Sequence, residues 1–364
     1  MESISLCMIV RDEEAVLARS LESASVFADE LIIVDTGSAD GTKEIAARYT
    51  NQIYDYKWHD DFAAARNYAY SFAKYDYIMW LDADDVIDTQ AVSDILLLKE
   101  NLTDETDVVS FLYGSQPEEQ FMRGNDFLMR DRLIKRSLNA KWLYPVHESI
   151  PMLPEYKIMN AAHIVVRHHK EKINDKRRNI RIMDKMAESG AKFDVNNRYY
   201  YCRELYFDKR YEESLNEYNN IKESGHAALM LDALPYAIWG LKDQKRYEDA
   251  LRLLLDVLEF AVPDELVCCE LGGSFLRERR YDQAKYWLEQ ARETKIDYED
   301  YRPHFFAYSE FLPCLQLGVM YARLGEWKEA YRYNKRACGI FPNNIAAAMN
   351  RKYYSDCIRR YIQK

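Results

Sequence analysis

Over roughly the first 100 residues, short apolar runs alternate with stretches in which apolar residues recur at helical spacing. The run Ile4–Val10 predicts a first strand and 13–25 its helix. A second apolar run at 31–34 ends on Asp35-Thr36-Gly37-Ser38-Ala39-Asp40-Gly41, a turn by its composition, and a helix follows from Thr42 that Asp40 or Ser38 would cap. A short strand at 53–56, a helix at 62–73 and a strongly apolar strand at 77–81 complete the series, which stops at Asp82-Ala83-Asp84-Asp85. Strands alternating with helices in this way predict a parallel sheet with crossover helices. Residues 106–168 read as mixed strands and loops, with 107–112 and 163–166 the clearest strands, and the pattern is helical from there almost to the end.

The helical half repeats a phrase. Arg210-Tyr211 with Glu213-Ser214, Arg246-Tyr247 with Asp249-Ala250, Arg280-Tyr281 with Gln283-Ala284, and Glu326-Trp327 with Glu329-Ala330 are four copies, the first three spaced about 34–36 residues apart. The longer last step implies an insertion around 296–310. A period near 34 is that of tetratricopeptide repeats, and each copy places an aromatic at a turn and a small residue three positions on. One helical hairpin cannot bury both apolar faces, so consecutive hairpins stack into a solenoid with a concave surface. Such a surface holds a peptide or protein, or serves to stabilise or dimerise its host. The expected division is 1–170 for the α/β domain, 171–196 for a basic helical linker and 197–364 for the repeats.

Composition narrows the function classes. Fifty basic against sixty acidic side chains give a net charge of −10, the wrong sign for a general nucleic-acid binder. Seven cysteines with no CxxC pair suggest neither a disulfide framework nor a zinc cage, and point to a reduced, cytoplasmic setting. No signal peptide and no apolar run near the ~20 residues of a membrane span is evident.

In open α/β sheets ligands bind beyond the carboxyl ends of the strands, and the acidic motifs lie there. Asp35 follows the second strand, where it would either receive hydrogen bonds from a nucleoside or close an Asx turn. Asp82 and Asp84, at an i, i+2 spacing after an apolar strand, suit a divalent cation bridged to a diphosphate, because such an ion needs only one or two hard oxygen ligands from the protein. Three adjacent carboxylates would otherwise repel one another. Arg167, Lys170, Lys172, Lys176, Arg177, Arg178 and Arg181 form a basic cluster in an acidic chain, suited to a departing diphosphate or else simply a solvated helix start. Glu148 is the candidate general base and His147 the alternative; a hydrogen-bonded pair that supports its loop is the plain structural reading of the two.

Four ordered segments, 5–14, 32–42, 61–67 and 81–85, resemble glycosyltransferase family 2. The resemblance implies a GT-A fold, which is Rossmann-like, with a UDP-sugar donor and inversion at the anomeric carbon. By it Val10, Glu13 and Asp35 would line the nucleobase and ribose, and Asp82, Ala83 and Asp84 would meet nucleotide and metal, Mg²⁺ or Mn²⁺. Arg66 would approach the phosphates and Asn67 the same pocket, with Lys176 and Arg177 on the donor side. The segments 142–148 and 166–168, followed by 176–179, resemble more narrowly the sublancin-type branch of bacterial peptide and protein glycosyltransferases, in which a late histidine, here His168, completes the metal site. The chain departs from that branch at His169-Lys170. The acceptor implied is a peptide or protein Cys, Ser or Thr side chain, as in a bacteriocin precursor. A cell-surface glycan, flagellin, or a catalytically inactive repeat scaffold are the competing readings. A nucleotidyltransferase ranks below them, since no Gly-rich phosphate loop opens a helix.

Overall fold

The computed structural model describes residues 2–103, 105–115, 127–169, 175, 177–295 and 305–362. They form two compact units, the first running to Lys192 and the second beginning at Phe193.

The first unit is built on an eight-stranded mixed sheet of order β3-β2-β1-β4-β7-β6-β8-β5. Strands β1 (Ile4–Val10), β2 (Glu30–Asp35), β3 (Ile53–Asp55) and β4 (Tyr77–Trp80) are mutually parallel, as the strand–helix alternation predicts. Beyond them, β7 (Phe127–Lys135) runs antiparallel to β4 and to β6 (Val108–Ser115); β8 (Ile158–His168) lies parallel to β6 and antiparallel to the short β5 (Asp85–Ile87). Ile4, Leu6, Met8 and Val10 join one core with residues of α1 (Leu17–Phe27) and α4 (Thr89–Asn101), whereas Cys7 joins a second with α3 (Phe62–Tyr70) and Trp142. Both faces of the sheet are thus covered, which is why its central strands read as near-continuous apolar runs.

Some boundaries differ from the sequence reading, each for a local reason. The first helix starts only at Leu17, because the chain before it bonds to the turn after β2. Asp12 N donates to Ser38 Oγ (2.9 Å), Glu13 N to Thr42 Oγ1 (2.7 Å) and Gly41 N to Glu14 Oε2 (2.8 Å). Neither Ser38 nor Asp40 caps α2 (Thr42–Ala46), whose N-cap is Gly41; Ser38 is spent on Asp12, and Asp40 Oδ1 accepts from Thr42 N and Oγ1. The third helix stops at Tyr70, short of 73.

In the second unit α6 (Val195–Phe207) pairs with α7 (Tyr211–Glu223), α8 (Ala227–Asp243) with α9 (Tyr247–Val257), α10 (Glu265–Arg277) with α11 (Tyr281–Glu293) and α12 (Leu312–Arg323) with α13 (Trp327–Ile340), before α14 (Ile345–Ile362). The hairpins share one apolar core and form the expected tetratricopeptide-type solenoid. Every copy of the repeated phrase opens the second helix of its hairpin, and its small residue, Ser214, Ala250, Ala284 or Ala330, is fully buried. Close packing at that crossing leaves no room at Gly272, where a Cβ would stand 2.6 Å from Leu288 Cγ. The lengthened last step carries a π-helical segment, Ala307–Phe311, leading into α12; residues 296–304 lie outside the described set.

Each hairpin turn uses the same left-handed C-cap. Lys209, Lys245 and Arg279 have φ of 64°, 64° and 60°, where the fourth copy has Gly325 at 80°. The following residue donates to the carbonyl five residues back, as from Arg246 N to Leu241 O (2.8 Å), the bond that terminates a helix in this way. A side chain in the left-handed region costs about 1–2 kcal/mol, partly offset by glycine's greater unfolded entropy. Lys245→Gly is therefore expected to raise stability by about 0.5–1 kcal/mol, a few degrees in Tm by thermal scan; a lowered Tm would contradict the assignment. No described helix is long and apolar enough to cross a membrane.

Candidate functional site

The parallel strands end at one edge of the sheet, and the candidate residues collect there. Asp35, the last residue of β2, is 1% exposed, and its Oδ1 accepts from Gly37 N and Ser38 N, both at 2.9 Å. That is the Asx turn its sequence context allows, with Gly37 at φ +104° completing it. Val10, beside it on β1, accepts Thr36 N at 2.9 Å. Glu13 contributes backbone: its carbonyl receives Val16 N and Leu17 N at the start of α1.

Helix α3, capped by Asp61 through Ala64 N (2.8 Å), carries the next layer. Arg66 is buried with its guanidinium over the Trp80 and Trp142 rings (4.6 and 5.0 Å), a contact of the cation–π kind. It donates from Nη2 to Asp82 Oδ1 (2.8 Å) and from Nε to Glu148 Oε1 (2.7 Å). Asn67 exchanges hydrogen bonds with the Trp142 backbone (2.9 and 3.0 Å), and Phe62 N donates to Pro145 O (2.8 Å). Of the two residues expected in the donor pocket, Arg66 binds two carboxylates and Asn67 pins a loop. That loop, closed by the Leu143–Ser149 bridge, presents His147 and Glu148, with Tyr144 and His147 held at φ 72° and 54°. Burial pushes the Asp82 carboxyl up, but the charges of Arg66 and Arg132 outweigh it and hold the group below its usual range.

Asp84, Asp85 and His168 form a second cluster, with a potential ligand atom from each within 4.8 Å of the others. The antiparallel register of β5 on β8 sets Asp85 opposite His168. His168 Nδ1 lies 3.5 Å from both Asp84 Oδ1 and Asp85 Oδ1. Two of these atoms, Asp85 Oδ1 and His168 Nδ1, are buried and have no hydrogen-bond partner among the described residues. Buried polar atoms rarely stay unmatched, and two carboxylates with an imidazole are a donor set that suits a divalent cation. Asp82, expected as a ligand, has its Oδ1 on Arg66, and the cluster holds Asp85 beside the expected Asp84 and His168. Sequence spacing alone could not separate Asp82 from Asp85.

Burial, with the negative charges of Asp82 and Asp85, raises the Asp84 carboxyl against the opposing pull of His168. For His168 burial acts downward, yet the neighbouring carboxylates prevail and raise it. Protonated His168 thus stabilises the metal-free fold fully below its unfolded pKa of about 6.5, and this is lost as pH climbs through the raised folded value. The raised Asp84 acts in the same direction. Since a cation must displace these protons, Mn²⁺ affinity is expected to rise about tenfold per pH unit from pH ~6 upward, levelling once His168 is neutral. Calorimetric titration at several pH values reads this, and a flat profile would exclude His168 as a ligand.

Of the basic cluster, Arg167 lies 3.7 Å from Asp88, Arg178 covers the Phe62 ring (4.5 Å) and Arg181 pairs with Asp175 (2.5 Å). Arg177 stands at the N-cap of α5 (Arg178–Glu188). Lys170, Lys172 and Lys176 lie outside the described residues.

Residues 5–155, which span the acidic motifs at the ends of the parallel strands, match the family described as glycosyl transferase family 2. The match falls within the first unit. Among curated proteins, a TPR repeat-containing protein of Synechococcus elongatus, Synpcc7942_0270, is 37% identical over 149 residues, 37% of this chain and 37% of that protein. The SPbeta prophage-derived glycosyltransferase SunS of Bacillus subtilis is 26% identical over 275 residues, 72% of this chain and 64% of SunS. The chain thus matches less than two thirds of the length of either relative. Among solved structures, a glucosyl-3-phosphoglycerate synthase of Mycobacterium tuberculosis, in complex with Mg²⁺ and uridine diphosphate, is 15% identical with a TM-score of 0.37, covering 53% of this chain and 81% of that one.

Proposed function

We propose that the chain is a metal-dependent, inverting glycosyltransferase that moves a sugar from a UDP-sugar to a side chain of a peptide or protein. The observation that supports this best is the gathering of Asp82, Asp84, Asp85, Glu148 and His168 at the carboxyl edge of a family 2 domain. In this reading Glu148, oriented by Arg66, takes the proton from the acceptor hydroxyl or thiol as that atom attacks the anomeric carbon. The bond from carbon to the diphosphate oxygen breaks, and the nucleoside diphosphate leaves with the electron pair. A divalent cation on Asp84, Asp85 and His168 would supply neutralisation of the leaving diphosphate. Asp35 and Val10 form the floor on the nucleoside side. Supporting a polypeptide acceptor are the stacked helical hairpins, since concave solenoids hold extended chains.

The test is mass spectrometry of candidate peptides, proteins and glycans incubated with a panel of nucleotide sugars and Mn²⁺. One hexose-type increment on a side chain, from a UDP donor, is expected. Glu148→Gln should keep nucleotide binding but lose about 10²–10⁴-fold in kcat, the usual contribution of a general base. Transfer only to a glycan would overturn the acceptor assignment, and turnover unaffected by Glu148→Gln would overturn that of the base.

A further inference from the structure

We infer that Arg132, a residue with no motif around it, is a positioning residue for the cation site and acts through Asp85; this rests on the metal-dependent reading above. The sheet makes a specific provision for it. Val109 pairs with Leu133 and Ser110 with Asp131, so Arg132 is the extra residue of a β-bulge, the device by which a strand re-aims one side chain. Its whole side chain is buried, as is that of Asp85. Nη1 of Arg132 lies 3.0 Å from Asp85 Oδ2 and 3.2 Å from Trp80 O, while the guanidinium covers the Trp80 ring at 3.8 Å and the Tyr113 ring at 4.8 Å.

Asp85 is thereby fixed at one oxygen and left available at the other. Its Oδ2 receives both Arg132 and the backbone N of Asp82 (3.1 Å), which closes the 82–85 turn. Its Oδ1 is the buried atom without a hydrogen bond, facing His168 Nδ1 at 3.5 Å and belonging to the cluster with Asp84. A carboxylate held by a guanidinium on one oxygen while presenting the other is how an outer partner orients a metal ligand. Trp80 links this device to the first, for its ring is covered by Arg66 as well as Arg132. One arginine therefore orders Asp82 and Glu148, and the other orders Asp85.

The experiment is Mn²⁺ binding to the full chain with neither nucleotide nor acceptor, read by the loss of the free-ion electron paramagnetic resonance signal, with thermal unfolding run beside it. Arg132→Met and Asp85→Asn are each expected to weaken Mn²⁺ binding about 10–100-fold, the usual cost of losing an orienting partner or more. Asp85→Asn keeps a hydrogen-bond acceptor for Arg132 and Asp82 N but gives up the buried charge pair, so its unfolding midpoint falls as that of Arg132→Met does, and binding is read well below both midpoints. Arg132→Lys, which preserves the charge, should recover most of the affinity. Wild-type binding in Arg132→Met and Asp85→Asn, with binding abolished in Asp84→Asn, would overturn the inference and leave the cation reading standing. Absence of Mn²⁺ binding by the wild-type chain would overturn both.

Discussion

Replacing Asp84 by Ala is expected to reduce UDP-sugar turnover about 10³-fold, with no loss of folded protein. Asp84 is partly exposed, its carboxyl is raised by burial and by Asp82 and Asp85, and its Oδ1 faces His168 at 3.5 Å. Removing it relieves like-charge repulsion, so the fold gains or holds stability while the cation loses a hard ligand. A factor of 10³ corresponds to about 4 kcal/mol of transition-state stabilisation, within the several kcal/mol a bound cation supplies to a leaving oxyanion. Release of uridine diphosphate measured with and without a chelator checks it. Turnover that survives both the substitution and the chelator would remove the cation from the mechanism.

Arg66→Met should do the opposite to the fold. Arg66 is the shared partner of Asp82 and Glu148, which are 36% and 13% exposed at the side chain, and lies over two tryptophans. Methionine fills much of the space and strands both carboxylates. Breaking a buried ion pair in this way costs about 3–5 kcal/mol, which urea unfolding of the isolated variant would register as a lower midpoint. The linkage has a sign: Asp82 is held below its usual range, so it stabilises the wild-type protein above its unfolded pKa of about 3.9, and this is lost as pH falls through the depressed folded value. In Arg66→Met that acid limb should move to higher pH. Unfolding midpoints equal to wild type at neutral pH would show that Arg66 is not the clamp described. Arg66→Lys, with one nitrogen for two carboxylates, is expected to fall between.

The parts of this structure that could be read from the chain are those set by periodicity. Strand β1 has the predicted limits because its run is apolar at every position but Ser5, and the hairpins of the second unit follow from Tyr211, Tyr247, Tyr281 and Trp327 recurring at helix starts. The family resemblance named Asp84 and His168 together, and the two stand in one cluster with Asp85. What it could not give was the direction in which charged side chains turn. Arg66 and Asn67 stand next to each other in sequence and read together as lining one pocket, whereas α3 sets the first on Glu148 and Asp82 and the second on the Trp142 backbone. Asp82 and Asp85 flank the same turn, and only the pairing of β5 with β8 decides which of them meets His168. Arg132 was beyond reach for a different reason: its position depends on a strand irregularity, which leaves no mark on the hydrophobic pattern.

The ledge formed by 11–14 and 36–42 has a further consequence. Asp12, Glu13, Glu14, Ser38, Asp40 and Thr42 are stitched across the two chain segments by bonds of 2.7–3.2 Å, all from groups the protein itself supplies. On the proposed reading, a visiting nucleoside would meet a surface already cast in its final form, so that little disorder would be given up on docking and discrimination among bases would be a matter of rigid fit instead of mutual adjustment.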